Sequence, residues 1–399
     1  MRILVITDQA IGPSHGTGAL LVRYFKDVPS VTIFNACAQM SAEADLKTTV
    51  VVPDQSEKFR AVLRNLPRLK FSAAMRAVSK TFYESLLAEI RAFDPELIWI
   101  IVCTRRGIRV ARQVIELFPR VPCYSSFWDL VHLEQLDQPA AKADLMHLSD
   151  RSQLMDAISD PLAEELTRRI GRSVGVEDFF CADRIQTPTQ ARRWDPGQAN
   201  LVMVGNVWLR DAFATLQKVV QLARRTRPEM GDVVWYCHIA SLHRLGLSER
   251  KMPAGFTYGG PGVGLSPTLG AGDLCLVPIH GPKTHSEGYS RFSLPSKVTE
   301  LFSSGVPVFS ISGPTTAFAR YLEETGTGVT VSPDSISGAA GVLSQLLDDS
   351  DKRDRMGQRA RDYAQEHFEI DAFRERLLTR LRGIMVDRLS PIDRNLKPP

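Results

Sequence analysis

The stretch Ser293–Ile311, SLPSKVTELFSSGVPVFSI, is the part of the chain around which the interpretation of the other segments is built. Ser293 and Pro295 favour the start of a helix, because proline lacks only an N–H that is unpaired at that position anyway. Gly305 suits the left-handed residue that ends a helix, and Pro307 prevents its continuation. We therefore expect a short helix followed directly by an apolar, buried strand.

The predicted helix has two different faces. Val298, Leu301 and Phe302 recur at helical spacing and should pack against a core. Lys297 and Glu300 are three residues apart, so they share another face near the helix N-terminus. A cation and a carboxylate held side by side at the positive end of a helix can bind a phosphate and a diol.

Length and composition set the broad class of the protein. A chain of 399 residues indicates two domains, and its 44% hydrophobic and 24% charged residues exclude a disordered protein. A net charge of +4 is too small to indicate a nucleic-acid partner, and we expect none. Met1 leads directly into an apolar strand, so we expect no signal peptide and a cytoplasmic location with reduced cysteines.

The first half has the pattern of a parallel α/β sheet. Arg2–Thr7 is a predicted strand, a glycine-containing loop and a helix follow, and Leu97–Cys103 has the continuous apolar sequence of a central parallel strand. Leu130–Ser173 is predicted to be helical. Ligands bind outside the carboxyl ends of strands in open α/β sheets, and the residues expected on that rim are Gly16, Arg105, Arg106 and Asp129.

The segment 58–80 contains seven basic residues and no acid, interleaved with apolar side chains. One interpretation is a solvated basic face above a core stripe, because such faces are common on soluble helices. The other is a surface that lies on anionic lipid. The sequence leaves both open.

A second α/β pattern begins near Leu201, after a linker predicted at 187–199. We therefore predict two domains, residues 1–190 and 191–370, each with a parallel sheet. Residues 371–399 are predicted to be a C-terminal helix that crosses back to the first domain and ends in a frayed tail.

Five motifs in the second half, in this order, resemble the C-terminal domain of GT-B glycosyltransferases, and most of all the retaining family 4 enzymes. They are Leu201–Asn206 (LVMVGN), Phe256–Gly259 (FTYG), Gly272–Pro278 (GDLCLVP), Pro295–Glu300 (PSKVTE) with Gly305–Val308 (GVPV), and Gly326–Val329 (GTGV). The first half resembles the family only loosely. The resemblance implies the GT-B fold, in which two Rossmann-like domains face each other across a cleft, the first binding an acceptor and the second a nucleotide sugar.

The resemblance also implies roles for individual residues. Glu300 would accept from the ribose hydroxyls of the donor, and Lys297 would lie near its diphosphate. A surface ion pair between these two residues is the alternative. The other implied donor-binding positions are Arg210, Gly16, Pro295 and Thr315, and for Arg210 a solvated side chain is the alternative.

The chain departs from the family pattern at two positions. Phe292 stands where many retaining members have a second glutamate, and Trp128 stands where many have the histidine of a His-Asp pair. Asp129 remains a catalytic candidate for contact with the sugar or acceptor, or it caps the following helix. His15 could replace the missing imidazole, or it is an exposed loop residue.

No metal and no cofactor beyond the donor substrate are expected. The segment 279–290 holds His280, His285 and Glu287, which is weak evidence for a metal site, and the fold binds diphosphate through helix dipoles and basic side chains.

The predicted function is transfer of a sugar, hexosyl or related, from a nucleotide-diphosphate sugar to a carbohydrate or lipid-linked acceptor. Retention of configuration is expected, in bacterial surface polysaccharide or glycolipid synthesis, with possible peripheral contact to the inner membrane face. Two alternatives stay open: a nucleotide-sugar epimerase of the same fold, and an inactive homologue that acts as a binding partner. The spacing of Gly12, Gly16 and Gly18 does not fit a dinucleotide-binding dehydrogenase.

Overall fold

A computed structural model describes residues 1–7, 16–25, 28, 32–37, 88, 90–103, 105–129, 136–182, 200–207, 209–261, 269, 273–280 and 291–386. His15, the basic segment 58–80 and residues 281–290 lie outside these ranges, and so does the whole linker predicted at 187–199. Among the described residues, no helix combines the length and the apolar character needed to cross a bilayer.

The first compact unit comprises the described parts of 1–158, 163–177 and 374–399. Its six strands are all parallel and, numbered in chain order, lie side by side as 2-1-3-4-5-6. Of the central strands, Leu97–Val102 is fully buried and Arg2–Thr7 is buried except at Arg2, as their apolar sequences predict. The elements in chain order are β1 (Arg2–Thr7), α1 (Gly16–Phe25), β2 (Thr32–Cys37), β3 (Leu97–Val102), α2 (Arg105–Ile115), β4 (Cys123–Phe127), α3 (Pro139–Arg151), β5 (Ser152–Ala157), α4 (Asp160–Ile170) and β6 (Gly175–Val176).

The prediction of a wholly helical segment at Leu130–Ser173 is wrong, because β5 lies within it. The sequence of β5, SQLMDA, lacks the alternating or continuous apolar pattern of a strand. Pairing with β4 specifies it instead. The Gln153 side chain accepts from the Cys123 backbone N–H at 2.6 Å, an additional bond between the two strands. A neighbouring strand has overridden local preference here.

The second compact unit comprises Ser159–Leu162 and the described parts of Asp178–Phe373, so the chain enters it before residue 190. Its sheet is also six-stranded and parallel, and its strands, numbered in chain order within the unit, lie side by side as 6-5-4-1-2-3. The order reverses between the first and the fourth of these strands, the place where doubly wound sheets bind ligands. The elements are β7 (Asn200–Val204), α5 (Arg210–Thr226), β8 (Val233–Tyr236), α6 (Ile239–Arg244), β9 (Phe256–Gly260), β10 (Asp273–Pro278), α7 (Val298–Ser303), β11 (Val308–Ile311), α8 (Ala317–Thr325), β12 (Gly328–Val331), α9 (Ile336–Asp348), α10 (Ser350–His367) and α11 (Ile370–Val386).

From Arg374 onward, α11 belongs to the first unit. The Arg374 guanidinium donates to the carbonyls of Arg23 at 2.7 Å and Tyr24 at 3.2 Å, in the last turn of α1. These carbonyls lack partners within their own helix, and a cation there also meets the negative end of the helix dipole.

Further along α11, Arg380 enters a buried polar network. It pairs with Asp156, which is 2% exposed, and with Glu177. The Tyr124 hydroxyl donates to the same Asp156 carboxylate at 3.0 Å. Burial raises the pKa of Glu177, and the neighbouring Arg380 charge opposes that rise. Arg380 therefore balances two carboxylates that would otherwise be poorly solvated.

We predict that Arg380→Ala destabilises the first unit, because it leaves the buried Asp156 carboxylate without its cation. The loss should be about 2 to 4 kcal/mol, below the full range for buried pairs because Arg380 is itself partly exposed. Urea unfolding followed by tryptophan fluorescence measures it. Arg382→Ala, at an exposed neighbouring position, is the matched control. Asp156→Asn, combined with Arg380→Ala, should recover part of the lost stability. Equal effects of both arginine substitutions would contradict the role of this network.

Candidate functional site

A glycine turn follows β7 where the strand order of the second sheet reverses. Gly205 has φ +80°, a left-handed conformation that L side chains rarely adopt. Its N–H donates to the Tyr236 carbonyl at 2.6 Å, and its carbonyl accepts from the indole N–H of Trp235 at 2.9 Å. The backbone N–H and the carbonyl of Gly205 are thus both bonded to the neighbouring strand β8.

The Lys297 side chain lies directly across this turn. A Cβ at Gly205 would be 1.7 Å from Lys297 Cε, so only glycine leaves room for the lysine. Lys297 Nζ donates to the Asn206 carbonyl at 3.2 Å. Burial lowers the pKa of Lys297 to about 8, while Cys275, Cys237 and Glu300 act in the opposite direction. The sequence predicted Lys297 as an anion ligand but not its contact with Gly205.

The helix that carries Glu300 is shorter than predicted. It begins at Val298, not at Ser293, because a turn comes first: the N–H of Val298 bonds to the Pro295 carbonyl at 3.0 Å. Pro295 is thus placed at the start of this turn, half-buried. Glu300 lies in the first turn of α7 and is half-buried.

The predicted core face of α7 is confirmed, since Val298, Leu301 and Phe302 are all buried. Gly305 ends the helix with φ +66°, as its sequence position indicated. Helix α10 packs closely against this end, where a Cβ at Gly357 would lie 2.5 Å from the Gly305 carbonyl oxygen. The short helix is therefore held in place by its packing against α10.

Thr315 and Arg210 lie at the N-terminal ends of two other helices of the second unit. Thr315 is exposed, but the residue that caps α8 is Thr316, whose hydroxyl accepts from the Ala319 N–H at 3.1 Å. Arg210 is exposed and opens α5, and its guanidinium donates to the Arg244 carbonyl at 2.6 Å. Part of its donor capacity is thus directed at the end of α6.

In the first unit, Gly16 is the first residue of α1, where the sequence had predicted a loop position. Arg105 opens α2 and donates to the Gln138 side chain at 2.6 Å. Asp129 follows β4 and is half-buried. These residues come after β1, β3 and β4 in the chain, as the rim prediction requires.

The two positions that depart from the family pattern are core positions. Trp128 is 2% exposed and packs edge-to-face on Tyr24 and Trp99, with ring centroids 6.1 and 6.4 Å away. Phe292 is also 2% exposed, and its carbonyl accepts from the Ser159 hydroxyl at 2.7 Å. Both positions are thus occupied by buried aromatic side chains.

No family model matches this chain, and no curated protein is similar to it by sequence comparison. Solved structures are similar. HepE from Anabaena in complex with UDP-glucose has a TM-score of 0.65 at 13% identity, covering 96% of this chain and 100% of HepE. WaaG, a glycosyltransferase involved in lipopolysaccharide biosynthesis, has a TM-score of 0.61 at 12% identity, covering 96% and 100%. Sucrose-phosphate synthase from Thermosynechococcus elongatus has a TM-score of 0.65 at 14% identity, covering 97% and 99%.

The chain has the GT-B fold. These structural neighbours are GT-B glycosyltransferases, and the fold implied by the sequence motifs is confirmed. In this GT-B chain, Lys297 and Glu300 come from the segment whose motif carried the resemblance, and Gly205 comes from the motif that opens the second half.

We predict that Gly205→Ala displaces Lys297, whereas Gly246→Ala does not. Both glycines have left-handed backbones, with φ +80° and +78°, but a Cβ at Gly246 meets no atom within 4 Å. Each substitution should cost roughly 1 to 2 kcal/mol of backbone strain. Only Gly205→Ala should return the pKa of Lys297 toward its ordinary value. Acylation of Lys297 as a function of pH, followed by mass spectrometry, measures this, and identical profiles for both variants would contradict the contact.

Proposed function

We propose that the chain is a glycosyltransferase that moves a sugar from a nucleotide-diphosphate sugar to a carbohydrate or lipid-linked acceptor. The observation that carries the proposal is Lys297, held over the Gly205 turn with Glu300 on the helix that follows. This pair lies in the unit whose strand order reverses at β7, the expected ligand position. Two structural neighbours support it: HepE was solved with UDP-glucose, and WaaG is a glycosyltransferase.

Donor binding is proposed to use charge and hydrogen bonds without a metal. Lys297 binds the diphosphate, and its partial burial strengthens this attraction because less solvent screens it. Glu300 accepts from the two ribose hydroxyls, which a carboxylate can do because it is an acceptor at both oxygens. Supporting roles on the donor are proposed for Arg210, Pro295, Thr315 and Gly16.

The proposed chemistry depends on stabilising the leaving group. Departure of the nucleoside diphosphate develops negative charge, and preorganised cations and amide dipoles are the usual means of stabilising it. The transfer is proposed to retain configuration, with a leaving-group oxygen receiving the acceptor proton. Asp129 and His15 are the proposed contacts to the sugar or acceptor.

The proposed setting is the cytoplasmic face of a bacterial membrane, in the synthesis of a surface polysaccharide or glycolipid. The basic segment 58–80 is the proposed contact with anionic lipid. Flotation with phosphatidylglycerol vesicles, compared with neutral phosphatidylcholine vesicles, tests the lipid contact. Recovery of the protein in the unbound fraction with both would contradict it.

UDP should raise the melting temperature of the wild-type protein. At one hundred times its Kd, a ligand stabilises by about 2.7 kcal/mol, a shift of several degrees for a domain of this size. Glu300→Gln and Lys297→Met should each weaken binding at least tenfold, because each removes a charged hydrogen-bonding group from the donor, worth about 1.5 to 3 kcal/mol. The exposed Glu323→Gln is the matched control.

Two outcomes of this measurement would redirect the interpretation. Equal stabilisation of all variants by UDP would mean that the donor binds elsewhere. If UDP, GDP, ADP and dTDP all leave the wild-type melting temperature unchanged, the inactive-homologue alternative is favoured. Phe292 and Trp128, in place of a glutamate and a histidine, keep that alternative open. Incubation with UDP-glucose alone tests the epimerase alternative, since an epimerised product without acceptor would exclude a simple transferase.

Binding of UDP should take up a proton above pH 8. Lys297 has a pKa of about 8 in the free protein, so its charge is progressively lost as the pH rises through that value. UDP is fully ionised there, since a terminal phosphate has a second pKa of about 6. The negative charge of UDP raises the pKa of Lys297 in the complex. Calorimetry at pH 8.5 in buffers of different ionisation enthalpy measures the uptake. Lys297→Met should abolish it, the exposed Lys218→Met should not, and uptake that persists in Lys297→Met would assign it to another group.

A further inference from the structure

We propose that His280 is a positioning residue for the donor site, holding the turn between β11 and α8 through a hydrogen bond from the Gly313 backbone. The inference rests on the proposed function, in which Thr315, at the N-terminal end of α8, supports donor binding. The central contact is the Gly313 N–H donating to His280 Nδ1 at 3.1 Å.

The backbone that carries the imidazole is itself held in place by hydrogen bonds. His280 follows β10, and its N–H donates to the Ile311 carbonyl at 3.1 Å, as does the N–H of Ile279 at 2.9 Å. The side chain is 1% exposed. Two consecutive amides on one carbonyl fix the residue to the end of β11, so the ring has a defined position from which to hold the next turn.

The contact with Gly313 is close as well as polar. A Cβ at Gly313 would lie 3.3 Å from His280 Nδ1, so the backbone at this position is packed directly against the ring. The Gly313 carbonyl then accepts from the Thr316 N–H at 3.1 Å, and Thr316 caps α8 through Ala319. A continuous chain of bonds therefore runs from His280 to the first turn of α8.

The bond fixes the chemical state of the imidazole. A backbone N–H only donates, so Nδ1 must present its lone pair and the ring proton of neutral histidine must be on Nε2. The opposite tautomer and the imidazolium would both direct a donor at the Gly313 N–H. Only one of the three ring states is compatible with this turn.

Substitutions at His280 separate this role from simple loss of packing. In His280→Asn, the side-chain oxygen can take the position of Nδ1 and accept from Gly313, whereas His280→Leu cannot accept. We expect His280→Asn to bind UDP within about threefold of wild type and His280→Leu to lose at least tenfold. Uridine, which lacks phosphates, should bind both equally. His147→Leu, in the first unit, is the control and should leave both affinities unchanged.

Spectroscopy and exchange test the contact directly. Nitrogen NMR of the wild-type protein should show the His280 proton on Nε2, and the Gly313 amide should exchange slowly in wild type and His280→Asn but faster in His280→Leu. A proton on Nδ1 would overturn the inference. So would wild-type UDP affinity in His280→Leu, and this result would leave the proposed function intact. If the wild-type protein binds no nucleotide, the proposed function fails together with the donor role of His280.

Discussion

The contact between Lys297 and the Gly205 turn is the constraint on which the candidate site in the second unit depends. The lysine occupies the space that a side chain at residue 205 would fill, and the glycine also supplies a left-handed backbone. Because both peptide groups of Gly205 are bonded to β8, the turn cannot retreat from the lysine. A cation on a flexible stem thereby acquires a defined position, which is the condition for selective binding of an anion.

The residues packed around α7 also help to fix the position of Lys297 and Glu300. A helix of six residues has little stability of its own, so its orientation must come from packing. Its three apolar side chains are buried, and Phe302 packs on Tyr321 of α8 and Tyr363 of α10. The close approach of Gly357 to Gly305 also lets α10 pack against its far end. Lys297 and Glu300 are therefore placed by the core beneath them, not by the loop in which the motif lies.

Much of this arrangement follows from local sequence. The apolar periodicity of α7, the glycine that ends it and the apolar strands of both sheets could be predicted because short-range rules specify them. The GT-B fold could be predicted because its motifs lie in these locally specified elements, and the structure confirms it. The strand β5 could not be predicted, since its polar sequence is a strand only beside β4. The contact of His280 with Gly313 joins residues far apart in sequence, and no local pattern specifies it. Trp128 and Phe292 were identified as departures from a motif, but only the structure shows that both are core residues.

The way in which the two units are assembled from segments of the chain has a consequence for folding during synthesis on the ribosome. Nearly all of the second unit is one continuous stretch, whereas the first unit needs residues from both ends of the chain. The carbonyls at the end of α1 and the carboxylates of Asp156 and Glu177 find their partners only in arginines of α11, which is translated after both sheets. The unit whose sheet is translated first is thus completed only after the second sheet, so a stop codon within α11 would damage the first unit while sparing the second.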